Sequence, residues 1–581
     1  AGPFPSKLAP QPAGRRYSSE RRPAVPKALS PAVHSTEGSP VSTQPLAVNA
    51  PLPGVVGVWQ PVHAPLARHA QQRPHDPFLL SAPGLSYAQA ANWVAHVAVQ
   101  HLALHAGERV ALWLDKGSAY ALSILATLHA GCAYVPLDGS QPVQRTGLIL
   151  QDARPRVVIT DHAHACALFE QGLPDSVRLV LLVSELAPAQ ATRTDLQVVT
   201  LGTRLCNAPP TALPGCEGTP RDRLAALLYT SGSTGTPKGV QLSHGNLSNF
   251  VRWCVQELEL TEADRLLNLA SFNFDLSTFD LFATLQAGAA LYVSSERETA
   301  QVLDVADLLR RQAISVLYTV PSMLALLNRI NAWGPLKGSL RCVAFAGEVM
   351  AKPQLQVMAA ALHPATRFYN LYGPTETNVC LYHRVTPEDV ASDGPIPIGV
   401  PIAGANVWLV DEHGRMVLEE GVLGEIWAAG RCVTPGYWAR QDPVLDGQHA
   451  RGMHATGDHG EWQRGVLLYR GRKDRMLKIS GYRVELGEIE AALARHPQLQ
   501  EVAVRVEPED PPRLVAHFAT RDPSLRLSAL ELKAFCAQHL PRYMVPHKVV
   551  QHATLPKNAN GKTDHRALAQ CPAVDPEQVT A

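Results

Sequence analysis

From about Val55 onward, short apolar β-branched runs alternate with amphipathic stretches. That is the pattern of parallel strands joined by helices in an α/β fold. Arg109-Val110-Ala111-Leu112-Trp113-Leu114 predicts a buried strand, Ser118 to Ala130 a helix, and Ala133-Tyr134-Val135-Pro136-Leu137 the next strand. Arg156-Val157-Val158-Ile159-Thr160, Val177 to Val183 and Leu224 to Leu228 repeat the strand signal. Between Gly421 and Trp438 short strands are punctuated by glycine, which predicts an antiparallel or barrel-like piece. A helix from Leu486 to Arg495 and a strand from Glu501 to Val506 have the texture of a separate small α/β lid. The expected fold is therefore α/β. A large multi-subdomain core with parallel sheets and a barrel-like piece spans 54–473, a small mobile lid 474–570, and a tail 571–581.

Residues 1–53 break the pattern. They hold 11 of the chain's 47 prolines, against 36 in the following 528 residues. Such a stretch cannot bury enough apolar surface to offset its ordering entropy, and a disordered leader is expected. Its arginine pairs, Arg15-Arg16 and Arg21-Arg22, lack the apolar segment that a secretion signal needs.

Composition narrows the function classes. The 581 residues are 46% apolar and 18% charged, enough material for a sizeable core and too much for one small module. With 52 basic and 51 acidic side chains the net charge is +1, so no polyanion-coating surface and no nucleic-acid partner are expected. The ten cysteines never form C-x-x-C, which predicts a reduced, cytoplasmic compartment. No apolar run approaches the roughly 20 residues needed to span a bilayer, so a soluble protein without a membrane partner is expected. His162, His164 and Cys166 have no distant fourth ligand and read as surface positions.

The strongest local signal is Leu228-Tyr229-Thr230-Ser231-Gly232-Ser233-Thr234-Gly235-Thr236-Pro237-Lys238-Gly239, directly behind the apolar run 224–228. Glycines permit close backbone approach to an anion, hydroxyls offer donors, and Lys238 supplies a charge, so the composition suits a polyphosphate. The loop differs from G-x-x-x-x-G-K-[ST], because no hydroxyl follows the lysine and no helix is expected there.

This loop resembles the signature of the adenylate-forming superfamily, which includes acyl-CoA synthetases, luciferases and the adenylation domains of nonribosomal peptide synthetases. The likeness runs through nearly all of the chain after the leader. Leu85-Ser86-Tyr87 and Gly131-Cys132-Ala133-Tyr134-Val135-Pro136-Leu137-Asp138 are similar to the first two adenylation-domain motifs. Asn370-Leu371-Tyr372-Gly373-Pro374-Thr375-Glu376, Gly424-Glu425, Gly436-Tyr437-Trp438 and Thr456-Gly457-Asp458 follow in the family's order. Next come Gly471-Arg472-Lys473-Asp474 and Lys478-Ile479-Ser480-Gly481-Tyr482-Arg483-Val484-Glu485. Leu540-Pro541-Arg542-Tyr543-Met544-Val545-Pro546 and Asn560-Gly561-Lys562 complete the series.

The resemblance implies ATP and Mg²⁺ and assigns roles residue by residue. Thr230, Ser231, Gly232, Ser233, Thr234, Gly235 and Lys238 would cradle the phosphates. Glu376 would hold Mg²⁺, a hard cation suited to carboxylate oxygen. Tyr372 would stack on adenine, Thr375 would touch the α-phosphate, and Asp458 with Arg472 would hold the ribose. Lys562 would bridge the substrate carboxylate and the nucleotide; the family usually has Arg after the Asp that follows, where this chain has His565. With Lys562, the catalytic set would be Lys238, Glu376 and Thr230. Asp474 falls where the family places its hinge. Rotation there would exchange the Lys562 face of the lid for the face carrying Lys478 to Gly481, which would line a tunnel for a thiol.

Asp275, within Phe274-Asp275-Leu276-Ser277, looks like the aspartate that pairs an α-amino group, although capping of a following helix remains an alternative. Aligned by motif, the pocket would comprise Asp275, Leu276, Phe279, Tyr318, Ala344, Ala346, Leu371, Val379 and Cys380, closed by Lys562. This lining suits a small apolar amino acid and resembles that of free-standing L-proline activators in pyrrole biosynthesis of the pyoluteorin and prodigiosin type. Ala344 departs from it, where a larger aliphatic residue would be expected, so alanine, valine and pipecolate stay open beside L-proline. An acyl-CoA synthetase or a non-catalytic nucleotide-binding module are the other readings. No condensation motif precedes the core and no carrier-protein serine motif follows Lys562, so the expected acceptor is the phosphopantetheine thiol of a separate peptidyl carrier protein.

Overall fold

The computed structural model describes residues 59–184, 194–201, 211–232, 236–472, 476–507, 512–522, 524–557, 563–565 and 567–570. Every described residue lies within one unit, 47–581. The leader, the tail, Ser233, Thr234, Gly235, Lys473, Asp474 and Lys562 lie outside the described residues.

Two large sheets form the body of the fold. The first orders its seven strands as 197–200, 179–182, 157–160, 109–113, 133–137, 224–230 and 238–243, all parallel except the last. The second has nine, in the order 400–401, 381–384, 367–372, 342–345, 316–319, 265–268, 290–293, 77–79 and 85–86, with a parallel centre and antiparallel edges. Their central strands are largely apolar runs because both faces are covered. Alternate residues separate cleanly. Val110 and Leu112 of one sheet join Val316, Tyr318 and Ala344 of the other in a shared core, while Ala111 and Trp113 turn to a second cluster and Leu317, Val343 and Phe345 to a third. Period-two side-chain direction thus builds three layers of core from two sheets.

The predicted strands and helices fall within one or two residues of those observed: Arg109–Trp113, Ser118–His129, Ala133–Leu137, Leu224–Thr230, Leu486–Leu493 and Leu499–Glu507. The piece expected to be antiparallel or barrel-like is a five-stranded antiparallel sheet. Its order is 416–417, 405–410, 424–430, 453–463 and 466–472, with no closing pair among the described residues. Beyond it, Met476–Ile479 pairs with Tyr482–Glu485, and Leu499–Glu507, Arg513–Thr520 and Lys548–Gln551 form a three-stranded sheet. Helices Leu486–Leu493 and Ala529–His539 pack there around Ile489, Leu514, Phe518 and Leu532, a cluster made wholly of residues from Leu477 onward.

Among the described residues no helix is long and apolar enough to cross a membrane. His162, His164 and Cys166 are partly buried rather than at the surface. The reason is local: Asp161 caps their helix and holds His164 Nδ1 at 2.6 Å, while His164 Nε2 meets the Gly139 carbonyl at 2.9 Å.

Candidate active site

Four parallel strands of the nine-stranded sheet end at Asn268, Thr319, Phe345 and Tyr372, and the segments that leave those ends surround one cleft. Open α/β sheets collect ligands at such carboxyl ends. The segment after Asn268 brings Asp275, Leu276 and Phe279; the strands bring Tyr318, Ala344 and Leu371; their exits bring Ala346, Val379 and Cys380. All nine are buried. Leu276, Phe279, Tyr318, Ala344, Ala346, Leu371 and Val379 share one apolar cluster, whereas Cys380 packs in the neighbouring one with Tyr372. Ala344 lies opposite Tyr318 in the parallel register, and the Phe279 and Tyr318 rings meet edge to face at 5.1 Å.

Asp275 is the charge in this apolar wall. Its side chain makes no capping bond, since the following helical segment is only Leu276–Thr278, and the Thr278 hydroxyl donates to its backbone carbonyl at 2.6 Å. Burial pushes its carboxyl up to about 6, and the Lys478 charge and the Thr375 hydroxyl offset that only in part. A carboxylate desolvated this way is satisfied by an arriving cation.

Beside the pocket lies a cavity of about 630 Å³ lined by Tyr372, Asp458, Arg472, Gly347, Glu348 and Lys478, among others. Asp458 is buried, accepting a hydrogen bond from Tyr372 Oη at 2.6 Å and pairing with Arg472 Nη1 at 2.8 Å. The predicted ribose residues therefore stand together, with the predicted adenine residue hydrogen-bonded to one of them.

Glu376 sits on the loop leaving the Arg367–Tyr372 strand, its carbonyl held by Thr434 N–H at 2.7 Å. Its side chain is fully buried. Oε1 accepts from Tyr437 Oη at 2.5 Å and from Arg483 Nη1 at 2.9 Å, while Oε2 has no hydrogen-bond partner. Burial raises its pKa, but the Arg483 guanidinium, His454 and the Tyr437 hydroxyl outweigh that and hold the carboxyl far below the usual range. Lys238 opens the Lys238–Ser243 strand, so no helix follows the phosphate-type loop, as the sequence implies. Burial and the Arg483 charge lower its pKa. Thr230 Oγ1 is buried without a partner, Ser231 Oγ donates to the Arg483 carbonyl at 2.7 Å, and Gly232 N–H donates to Glu488 Oε2 at 3.3 Å.

The C-terminal piece thus meets the cleft with its 478–488 face. Glu348 links the two sides, accepting from Ser322 N–H and Gly481 N–H at 2.9 Å each. Gly481, at φ +79°, lies so close to the core that a Cβ would stand 2.3 Å from Val320 Cγ1. Tyr482 stacks on Phe274 and on Tyr543, and the buried Arg145 pairs with the buried Glu488. Sequence reasoning missed Glu348, Arg145 and Glu488 and gave Arg483 and Tyr437 no role. One signal was available: Arg145 lies on the same helical face as Ile149 within Val143–Ala153, and a charge on a buried face needs a partner.

Residues 66–438 match the family described as AMP-binding enzyme, and residues 488–562 its C-terminal domain. The chain is 49% identical over 512 residues to an L-proline--[L-prolyl-carrier protein] ligase of Streptomyces coelicolor, covering 87% of this chain and 96% of that protein. It is 37% identical over 471 residues to a ligase of the same name from Pseudomonas fluorescens, covering 80% and 89%. Among solved structures it resembles the Vibrio cholerae adenylation domain AlmE in complex with glycyl-adenosine-5'-phosphate. There the TM-score is 0.74 and the identity 24%, over 89% of this chain and 99% of that one.

Proposed function

The chain belongs to the AMP-binding enzyme family, and on that premise we propose that it activates L-proline with ATP as prolyl-AMP and passes the prolyl group to a carrier protein. The two prolyl-carrier ligases of which it spans 96% and 89% support the substrate and the acceptor. Within the molecule one observation carries the reading most: a buried Asp275, its carboxyl pushed up to about 6, set in an apolar wall of Phe279, Tyr318 and Ala344. A compact apolar side chain suits such a wall, and its secondary ammonium pairs with a carboxylate whose charge burial has left costly.

In the first half-reaction the proline carboxylate attacks the α-phosphorus of ATP and pyrophosphate leaves. Asp275 fixes the ammonium end, which aims the carboxylate at the nucleotide site. Asp458 and Arg472 hold the ribose, Tyr372 the adenine, and Thr375 the α-phosphate. Thr230, Ser231, Gly232 and Lys238, with Ser233 to Gly235 outside the described residues, would serve the departing phosphates, where a cation is worth about 4 kcal/mol per unit charge at 4 Å and an effective dielectric of 20. Glu376 fits Mg²⁺, because its Oε2 is a buried carboxylate oxygen with no other partner. Bound there, Mg²⁺ would supply charge that steadies the polyphosphate. Lys562, outside the described residues, would bridge substrate carboxylate and nucleotide.

In the second half-reaction the phosphopantetheine thiolate attacks the prolyl carbonyl carbon and AMP leaves. We take 54–473 as the core and 474–570 as the lid, turning at Asp474. Contact through Gly481, Arg483 and Glu488 is the arrangement suited to this step, since Glu488 then occupies the Gly232 N–H that a phosphate would need.

The test is pyrophosphate exchange over the twenty standard amino acids with pipecolate and azetidine-2-carboxylate, followed by loading of a holo carrier protein with radiolabelled proline. L-proline should lead. A larger or charged side chain at the top, or rates for acids lacking the amine equal to that of proline, would overturn the assignment.

A further inference from the structure

A second cluster of chemistry-bearing side chains lies outside the cleft. His63 stands in the turn before the Pro65–Gln72 helix, His129 ends the Ser118–His129 helix, and Cys216 lies in the segment preceding the Leu224–Thr230 strand. His63 is 2% and His129 4% exposed, and Cys216 is partly buried. One donor atom from each lies within 4.8 Å of the other two. His129 Nδ1 is 3.7 Å from Cys216 Sγ, close to the roughly 3.6 Å that separates nitrogen from sulfur on a tetrahedral zinc ion.

The environment suits ligation. His63 Nδ1 is buried with no hydrogen-bond partner, although buried polar atoms are nearly always satisfied. Burial, and for His63 the neighbouring rings, keep both imidazoles neutral, which is the ligating form. The Pro214 and His63 carbonyls flank the His129 ring, an outer contact of the kind that decides which ring nitrogen is left for a metal. His244, whose ring lies 5.3 Å from that of His63 and which faces the Arg223 charge, stays outside the ligand set.

We propose that His63, His129 and Cys216 bind a zinc ion that fastens three sequence-distant segments, with water in the fourth position. Two imidazoles and a thiolate suit a borderline-soft divalent ion and not Mg²⁺, which takes oxygen, so the site is distinct from that at Glu376. Binding forms two N–Zn bonds and one S–Zn bond and releases the Cys216 thiol proton to solvent.

The test uses full-length protein purified without chelator or metal-affinity resin. Elemental analysis should find about one zinc per chain, falling at least tenfold in Cys216→Ser and in His129→Asn but not in Cys166→Ser. Chelation should lower the melting temperature of the parent protein, and stoichiometric Zn²⁺, not Mg²⁺, should restore it with release of one proton. These strip-and-reload arms decide the matter even if a ligand variant does not fold. Proline-dependent exchange should persist in Cys216→Ser. Less than a tenth of an equivalent of zinc with no Zn²⁺-dependent melting shift, equal zinc in Cys216→Ser, or stoichiometric copper or nickel in place of zinc would each overturn the proposal.

Discussion

Replacing Asp275 with Asn should make the protein more stable while removing its activity. Burial lifts the Asp275 carboxyl from the ordinary 3.8 to about 6, so ionising it costs about 3 kcal/mol more in the folded protein than in the unfolded chain. The sign follows from the raised value. Folding favours the neutral acid, so the wild-type protein bears no penalty below pH 4, acquires it as pH rises from 4 to 6, and bears it fully above 6. Asn never ionises. The variant should therefore melt several degrees above wild type at pH 8, with the gap closing by pH 4. L-proline should raise the melting temperature of the wild type and not of the variant, whose proline-dependent pyrophosphate exchange should fall by several kcal/mol in transition-state terms. In the wild type, KM for proline should climb as pH drops through about 6, because the neutral acid no longer pairs with the ammonium. A variant less stable than wild type at pH 8, or one that retains exchange within about tenfold, would refute the reasoning.

Gly481→Ala places a methyl against Val320 and at a positive φ, so loading of the carrier should slow at least about tenfold while pyrophosphate exchange changes little; equal loss in both assays would refute it. Ala344→Val should narrow the pocket opposite Tyr318 and raise the preference for proline over pipecolate by about 1–3 kcal/mol, read as a ratio of kcat/KM values. Glu376→Gln removes one of the two carboxylates on the Arg483 guanidinium, leaving Glu485, and should lower stability by about 1–3 kcal/mol in denaturant titration, besides abolishing exchange. Lys562→Ala should abolish exchange with ATP binding largely kept, as equilibrium dialysis with labelled ATP would show.

The layering of the fold was readable because buried parallel strands announce themselves locally: Val157–Thr160, apolar but for its last residue, and Leu179–Leu182 are buried at every position. Motif order carried the site residues for the same reason, each being a short contiguous string. Pairings across long separations were not readable. Arg145 and Glu488 are 343 positions apart and Arg483 and Glu376 107, and no local periodicity reports which charge will bury against which. The His63, His129 and Cys216 grouping was invisible for that reason too, whereas the adjacent His162, His164 and Cys166 drew notice yet are occupied by helix capping and local bonds.

Beside the Tyr482–Phe274 stack, the seam between the C-terminal piece and the cleft is stitched by two ion pairs: Arg145 with Glu488, and Arg483 with Glu376. Taking such charges out of water costs several kcal/mol per ion, nearly what their attraction returns. These two pairs therefore add little net adhesion to the seam. What the charges supply is address and not adhesion: a misplaced C-terminal piece would strand a buried ion, and a correctly seated one merely breaks even.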